Sequence, residues 1–361
     1  MATKEKRIFA ALKKDVDAIV LMNASEPNLD LSFFYSTGIS NGLFEGCVAV
    51  LRHNGTEVLS SKLEELSSRK AGVKTTAFKT GKHRDELLKK KLKGMTRIGV
   101  CYDGLTHGNF REIRKCAKGA RLVDVSRAID DARMIKDRNE IRLLHKAGQI
   151  ASKTADSIPS LVRKGQTETE AAGELNYMMM KLGADGPSFD TNASFGPATA
   201  EPHYVPGPRR LRWGQLALFD FGARFRKYAS DITRTYVSGT PSRRQKAMYE
   251  TVLDAQLAAL DAIRAGAHGK QVDRAAREIV DKSEFKGRFI HNTGHGLGVS
   301  VHDPGSLSPL KDMILKEGMV LTVEPGVYVK GFGGVRIEDD ILVTRSGCKL
   351  LTSASKEFIC I

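Results

Sequence analysis

Four acidic side chains within apolar, strand-like segments place the strongest constraint on how this chain folds. They are, in chain order, Asp220 in LALFDFGA, Asp231 in YASDITRTYVS, Glu324 in MVLTVEPGVYV and Glu338 in GVRIEDDILVT. A carboxylate in an apolar interior is costly unless a cation or hydrogen bonds satisfy it. The acids are therefore expected to be paired or bound to metal rather than to lie singly in the core.

A histidine in a glycine-rich segment, His295 in NTGHGLGVSVH, lies between the second and third of these acids. Taken alone, a strand-borne acid or a glycine-flanked histidine usually has a structural role. Together, two Asp, two Glu and one His offer hard oxygen ligands plus one imidazole, which suit Mn, Co, Zn or Fe. Four carboxylates balance two divalent ions, and paired ions can share a hydroxide nucleophile and polarise a carbonyl.

Composition limits the remaining function classes. The chain has 361 residues, 41% of them hydrophobic, which is enough for two domains with their own cores. Its net charge of +15 permits contact with nucleic acid, but the basic stretch at 62–97 contains one aromatic residue and is typical of a solvated helix face.

The cysteines and the N-terminus indicate a cytoplasmic protein. The five cysteines are widely spaced and form no CxxC pair, which favours a reducing compartment. The N-terminal MATKEKRIFAALKKDVD is too charged for a secretion signal. No apolar run approaches the roughly 18 residues that a membrane span needs, so we expect no membrane insertion.

The pattern of elements changes near residue 132. Before it, short apolar runs such as DAIVLM, GCVAVLRH and RIGVCYD alternate with helical patterns, which predicts a small α/β domain over 1–132. After it, three long helical patterns and later glycine-separated strands predict a second domain over 133–361. Thr167 and Glu170 have the spacing of a capping box at the start of the second of these helices.

The motifs FDFGA, SDITRT, NTGHGLG, TVEPG and VRIEDD resemble those of the pita-bread metallopeptidases. This group includes Xaa-Pro dipeptidase (prolidase), Xaa-Pro aminopeptidase, methionine aminopeptidase and creatinase. The resemblance covers about residues 133–361, and the part before it is similar in layout to the N-terminal domain of the prolidase and creatinase branch. The resemblance implies an α/β (α+β) chain with a small N-terminal domain and a pita-bread catalytic domain.

The resemblance implies a ligand set. Asp231 and Glu338 would bridge two divalent ions, Asp220 would complete one, and His295 with Glu324 would complete the other. Manganese or cobalt is expected, with zinc or iron as alternatives. Glu324 would also take a proton from the bridging water and pass it to the leaving nitrogen.

Three further residues have roles implied by the resemblance. His203 in EPHYVPG and His302 in VSVHDPG match histidines that act near the scissile carbonyl and the tetrahedral intermediate. Arg336 is expected to orient a metal carboxylate or the substrate, with a structural ion pair as the alternative. His291 receives no role.

The chain departs from the family pattern at two places. The usual FDTIVASG is FDTNASFG here, which puts Asn192 and Phe195 at altered positions. The commoner VHEPP is VHDPG, which introduces Asp303 and Gly305. None of these four residues is a predicted ligand.

The sequence therefore predicts a dinuclear metallopeptidase that cleaves the Xaa-Pro bond, with dipeptides as its substrates. An Xaa-Pro aminopeptidase acting on longer peptides is the main alternative. Methionine aminopeptidase and a nucleic-acid-binding relative without catalysis rank below both. The expected partners are a small peptide with proline in second position and a second copy of the chain in a homodimer.

Overall fold

The structure, a computed structural model, describes residues 3–361, and the chain divides in sequence between Arg133 and Met134 into two compact units. The prediction of a mixed α/β chain is confirmed. Among the described residues, no helix is both long enough and apolar enough to cross a bilayer.

The first unit is built on one mixed sheet. Its strands are β1 (Ala18–Met22), β2 (Val48–Arg52), β3 (Gly55–Ser61), β4 (Lys74–Phe78), β5 (Arg97–Val100) and β6 (Arg121–Asp124). The order is β4-β3-β2-β1-β5-β6, with β2 antiparallel to both of its neighbours and the other pairs parallel. All five residues of β1 are buried, as expected for a central strand covered on both faces.

Helices cover this sheet. They are α1 (Lys4–Ala10), α2 (Leu31–Thr37), α3 (Glu65–Lys70), α4 (Gly81–Leu92), α5 (His107–Cys116) and α6 (Ser126–Met134). The lysines of the basic stretch at 89–91 lie in the last turn of α4, where cations interact favourably with the helix dipole.

Four helices belong to the second unit: α7 (Arg138–Leu161), α8 (Glu168–Lys181), α9 (Arg243–Ala262) and α10 (Gly269–Asp281). The predicted capping box at Thr167 and Glu170 is confirmed, and α7 and α9 begin with capping boxes of their own. Such reciprocal hydrogen bonds satisfy the free N–H groups of the first helical turn.

The strands of the second unit form several small sheets. They are β7 (Gly186–Pro187), β8 (Asn192–Phe195), β9 (Leu216–Phe221), β10 (Ala223–Phe225), β11 (Tyr228–Ala229), β12 (Ile232–Val237), β13 (Gly294–Gly296), β14 (Asp303–Leu307), β15 (Val320–Val323), β16 (Gly326–Val329), β17 (Gly333–Arg336), β18 (Asp339–Val343) and β19 (Cys348–Leu350). The sheet orders are β12-β9-β8, β11-β10-β7, β14-β13-β15-β18-β19 and β16-β17.

Two hydrophobic clusters join these sheets to the helices. One contains residues of α9 and α10 with residues of β15 to β18, and the other contains residues of α7 and α8 with residues of β8, β9 and β12. Helices thus bury one side of the antiparallel sheets and leave the other side for polar groups.

The structure corrects the prediction that all four acids lie inside strands. MVLTVEPGVYV is divided into β15 and β16, which belong to different sheets, and GVRIEDDILVT is divided into β17 and β18. Glu324 and Glu338 lie at these two breaks, and Asp231 directly precedes β12, so only Asp220 is within a strand. Proline at position 325 has no N–H for a ladder, which favours the first break.

A buried ion pair fixes β12 against the segment that carries Glu338. Arg234 Nη2 lies 2.8 Å from Asp339 Oδ1, and Arg234 Nη1 donates to the backbone carbonyl of Glu338 at 2.6 Å. Lys356 Nζ contacts the other carboxylate oxygen of Asp339 at 2.7 Å. Burial by itself would raise the pKa of Asp339, but Arg234 and Lys356 together hold it below its usual value.

We expect Arg234→Met to lower the free energy of unfolding by about 3–5 kcal/mol, because it leaves a buried carboxylate incompletely paired. The matched control is Lys282→Met, which removes an exposed pair with Glu278 at 3.9 Å and should cost less than about 0.5 kcal/mol. Urea unfolding followed by circular dichroism measures both. Equal losses in the two variants would contradict a special role for the buried pair.

Candidate metal centre

All eight predicted site residues line one cavity of about 780 Å³ in the second unit. They are Asp220, Asp231, His295, Glu324 and Glu338, predicted as ligands, and His203, His302 and Arg336. The cavity is also lined by His291, to which the sequence assigned no role. The structure therefore brings together residues that are up to 135 positions apart in the chain.

The aspartates come from neighbouring strands. Asp220 is in β9 and pairs with Thr233 of β12 on one side and with Asn192 of β8 on the other. Asp231 lies at the start of β12, where its backbone N–H donates to Asp340 Oδ2 at 2.9 Å. The β9–β12 pairing thus sets the separation of the two aspartates through the backbone.

His295 occupies a strand that only glycine neighbours allow. A Cβ atom at Gly294 would lie 1.9 Å from the carbonyl oxygen of Thr322, and one at Gly296 would lie 2.1 Å from that of Pro304. These approaches exclude any side chain and let β13 pack directly against its partners. Replacement of either glycine therefore disturbs the strand that carries the histidine.

The tautomer of His295 follows from its hydrogen bond. Its Nδ1 lies 3.0 Å from the carbonyl oxygen of Gly296, so Nδ1 carries the proton and donates it. The unprotonated Nε2 then faces the acids, at 3.3 Å from Glu324 Oε1 and 3.7 Å from Asp231 Oδ2. This arrangement is the one found for histidines that bind metals.

The donor atoms are close enough to share a cation. One ligand atom from each of Asp231, His295 and Glu338 lies within 4.8 Å of the others. Asp231 Oδ1 is buried and has no hydrogen-bond partner among the described residues. A buried carboxylate oxygen without a partner is costly, and a divalent ion satisfies it, so the donor set fits a metal.

The electrostatics of the cavity favour added positive charge. Burial, followed by repulsion from neighbouring acids, raises the pKa values of Asp231 and Glu338 well above their usual range. Burial raises the pKa of Glu324 to about 7, although Arg336 opposes the shift. The protein alone therefore favours protonated acids here, and a cation would favour the ionised forms that bind it.

Hydroxyl groups orient the two glutamates. Thr233 Oγ1 donates to Glu338 Oε2 at 2.6 Å, and Thr322 Oγ1 donates to Glu324 Oε1 at 3.1 Å. Each glutamate keeps its second carboxylate oxygen for other contacts. Such hydrogen bonds hold ligating groups in place and commonly affect metal affinity.

Each nitrogen of the Arg336 guanidinium contacts a protein group. Its Nη2 contacts Asp220 Oδ2, its Nη1 donates to the Tyr328 hydroxyl at 2.8 Å, and its Nε donates to Thr233 Oγ1 at 3.0 Å. The guanidinium is thus in contact with a predicted ligand carboxylate, that of Asp220. It also forms the ion pair that was expected as the alternative.

The sequence did not identify Tyr328 and His291 as part of this site. The Tyr328 hydroxyl accepts from Arg336 and donates to His291 Nε2 at 2.8 Å, since His291 Nδ1 donates to the carbonyl oxygen of Asn292. Burial, and then Arg336, lower the pKa of His291 to about 3, so this imidazole is neutral. The spacing of four residues between His291 and His295 was the available signal.

The remaining histidines lie on two sides of the cavity. His302 immediately precedes β14, and its ring centroid is 4.3 Å from that of His295. Burial and the neighbouring His295 lower the pKa of His302. His203 follows the 3₁₀ helix Gly196–Ala200, is exposed, and forms no hydrogen bond through its ring within residues 3–361.

Comparison with known proteins gives matches along both units. The sequence profile of Metallopeptidase family M24 matches residues 142–345, and that of the Creatinase/Prolidase N-terminal domain matches residues 7–135. An Xaa-Pro dipeptidase of Pyrococcus horikoshii is 35% identical over 360 residues, which cover 99% of each chain.

Solved structures are similar over the same length. An Xaa-Pro dipeptidase from Bacillus anthracis has a TM-score of 0.91 and 32% identity, and the match covers 99% of both chains. An X-Pro aminopeptidase from Thermotoga maritima has a TM-score of 0.89 and 30% identity, with 95% of this chain and 97% of the other covered.

Proposed function

The chain belongs to metallopeptidase family M24, as its motifs predict, and from this premise we propose that it hydrolyses the Xaa-Pro bond of dipeptides. The observation that carries the proposal is the convergence of all eight predicted site residues on one cavity. The relatives that align along nearly the whole chain include Xaa-Pro dipeptidases, which supports the choice of substrate.

We propose that Asp220, Asp231, His295, Glu324 and Glu338 would hold two divalent ions, and that Asp231 and Glu338 would serve both of them. When bound, such ions lower the pKa of water and polarise the scissile carbonyl. Manganese or cobalt is proposed, with zinc or iron as alternatives, because the donors are four carboxylates and one imidazole without a thiolate.

The side chains around these donors have distinct tasks. Glu324 takes a proton from the attacking water and returns it to the proline nitrogen, which must be protonated before it leaves. His203 and His302 donate hydrogen bonds to the oxygen of the carbonyl as negative charge develops on it. Arg336 and Thr233 keep Asp220 and Glu338 in position throughout.

The aminopeptidase alternative is supported by the state of Arg336. A dipeptidase requires a group that pairs with the C-terminal carboxylate of proline, and Arg336 already contacts Asp220, Tyr328 and Thr233. His203 and His302, which line the same cavity, are further candidates for that contact. Similarity to an X-Pro aminopeptidase structure keeps longer peptides as a second candidate substrate class.

We expect kcat/KM for Ala-Pro to exceed that for Ala-Pro-Ala in a metal-reconstituted assay, because the free carboxylate of the dipeptide lies within the site. Met-Ala-Ser serves as the control for methionine aminopeptidase activity and should not be cleaved. An Ala-Pro to Ala-Pro-Ala ratio well below one would assign the aminopeptidase activity instead. Cleavage of Met-Ala-Ser alone would reject both Xaa-Pro assignments.

We also propose a homodimer in the cytoplasm. The location is supported by five free cysteines, since disulfides are rare in reducing compartments. The dimer is supported by the resemblance to the prolidase branch, whose members commonly form dimers. Light scattering on the purified protein measures the mass directly, and a monomeric mass would reject the dimer.

A further inference from the structure

The position of His203 depends on its backbone rather than on contacts of its ring. The imidazole forms no hydrogen bond within the described residues, and the side chain is exposed. We refer to residues 201–207, Glu201 to Gly207, as the His203 segment. It has no regular secondary structure, so other parts of the chain must hold it in place.

One anchor of the His203 segment is Asn192. This residue lies opposite Asp220 in the β8–β9 pair, and its Nδ2 donates to the carbonyl oxygen of Pro202 at 3.2 Å. Asn192 therefore connects the strand of a proposed ligand directly to the residue that precedes His203.

Asn192 carries a cost that its packing does not explain. It is 6% exposed, and its Oδ1 is buried without a hydrogen-bond partner among the described residues. A leucine at this position would fill a similar volume and remove the unsatisfied carbonyl. Buried polar atoms without a partner are uncommon, and this one points to a role for Asn192 other than packing.

A second anchor is Glu168, in the first turn of α8. Its carboxylate is fully buried and accepts from the Tyr204 hydroxyl at 2.9 Å and from the Gly207 N–H at 3.1 Å. It also accepts from the N–H of Phe195, at the end of β8, at 2.9 Å. One carboxylate thus ties the part of the segment that follows His203 to a helix end and to the strand that contains Asn192.

We propose that Asn192 and the Glu168–Tyr204 pair are positioning residues that hold His203 over the metal-binding acids. This inference rests on the proposed role of His203 in the Xaa-Pro peptidase. The two anchors contact the residues immediately before and after His203, so loss of either one moves the imidazole. A displacement of about 1 Å in a catalytic group can lower the rate by about a hundredfold.

The test uses Asn192→Leu and Tyr204→Phe, each made in the parent and in His203→Ala. In the parent, each is expected to lower kcat about tenfold, as for partial misplacement of one group, with metal content unchanged. In His203→Ala, neither is expected to lower kcat further, because the group that they position is absent. An equal loss in both backgrounds would overturn the inference, as would an unchanged kcat in the parent.

Stability separates positioning from a structural role. Asn192→Leu is expected to leave the melting temperature unchanged or to raise it, because a buried unsatisfied carbonyl is removed. A lowered melting temperature that accounts for the lost activity would overturn the inference for Asn192. Tyr177→Phe is the matched control for Tyr204→Phe, since Tyr177 is 65% exposed, and it should change neither kcat nor stability.

Hydrogen–deuterium exchange tests the anchoring without any activity. The amides of residues 203–205 and 207 are expected to exchange faster in both variants than in the parent, whereas those of β9 keep their parent rates. Unchanged exchange in the His203 segment would overturn the inference. Cleavage of Ala-Pro by the parent decides the proposed function separately, so failure of the one is distinguishable from failure of the other.

Discussion

Removal of divalent ions is expected to abolish peptide cleavage and to lower the melting temperature of the protein. Metal that binds only the folded state at a thousand times its dissociation constant stabilises it by about 4 kcal/mol. For a unit of this size that corresponds to a shift on the order of 10 °C. Differential scanning calorimetry before and after chelation, with activity measured on the same samples, gives both quantities.

The stabilisation by metal should depend on pH in a defined direction. Without metal, burial raises the pKa of Glu324 from its usual value near 4.5 to about 7, and those of Asp231 and Glu338 are raised as well. The metal-free folded state then binds more protons than the unfolded chain, so its stability falls as pH rises from about 4.5 through 7. The difference in melting temperature between metal-loaded and chelated protein should therefore be larger at pH 7.5 than at pH 5.

Readdition of the ion is the control, and it should restore both activity and melting temperature. If chelated protein loses activity but melts at the parent temperature at pH 7.5, the link between the acids and stability is wrong. A melting difference that is equal at pH 5 and pH 7.5 would contradict the raised pKa values.

Substitutions of Glu324 and His203 are expected to have different effects, because Glu324 is proposed as a metal ligand and His203 as a hydrogen-bond donor. Glu324→Gln keeps the size of the side chain but removes a charge and the proposed proton carrier. Both metal content and kcat should fall, the latter by at least about 10³-fold, since two functions are lost together. His203→Ala should lower kcat by about 10²–10³-fold while the metal content stays near that of the parent.

Metal analysis of the purified variants decides between these roles. If His203→Ala holds fewer ions than the parent, His203 is a ligand and the assignment is wrong. If Glu324→Gln keeps both its metal and its activity, Glu324 is neither ligand nor proton carrier. Glu317→Gln, a change of the same kind at a residue outside the cavity lining, is the control and should match the parent in both measurements.

The type of site, a metal site with carboxylate and imidazole donors, could be predicted from the sequence because the prediction depends on residue types in apolar segments. Asp220 between Phe219 and Phe221, or His295 among glycines, would each alone favour a structural role, but four such acids together with one histidine predict a shared ligand. The helices of the second unit could also be predicted, since signals such as the capping box at Thr167 and Glu170 are local in the sequence.

The positions of the acids relative to the strand ends could not be predicted from the sequence. Hydrophobic periodicity predicted MVLTVEPGVYV and GVRIEDDILVT as continuous strands, because a change of sheet alters the partners of a segment but not its apolar character. Glu324 and Glu338 lie at the two changes of sheet, where their carboxylates leave the hydrogen-bonded ladder. The positions of Glu324 and Glu338 outside the strands therefore depend on how β15, β16, β17 and β18 pair in the folded protein.

Residue types and their spacing were sufficient to predict the donor set, its charge and the order of the motifs. The groups that these site residues contact follow from the packing of distant segments. Arg336 contacts Asp220, Thr233 donates to Glu338 and Tyr204 donates to Glu168, across 116, 105 and 36 positions of the chain respectively. Long-range strand pairing and helix packing bring these residues together. The local hydrophobic pattern of the sequence does not show which segments will pair.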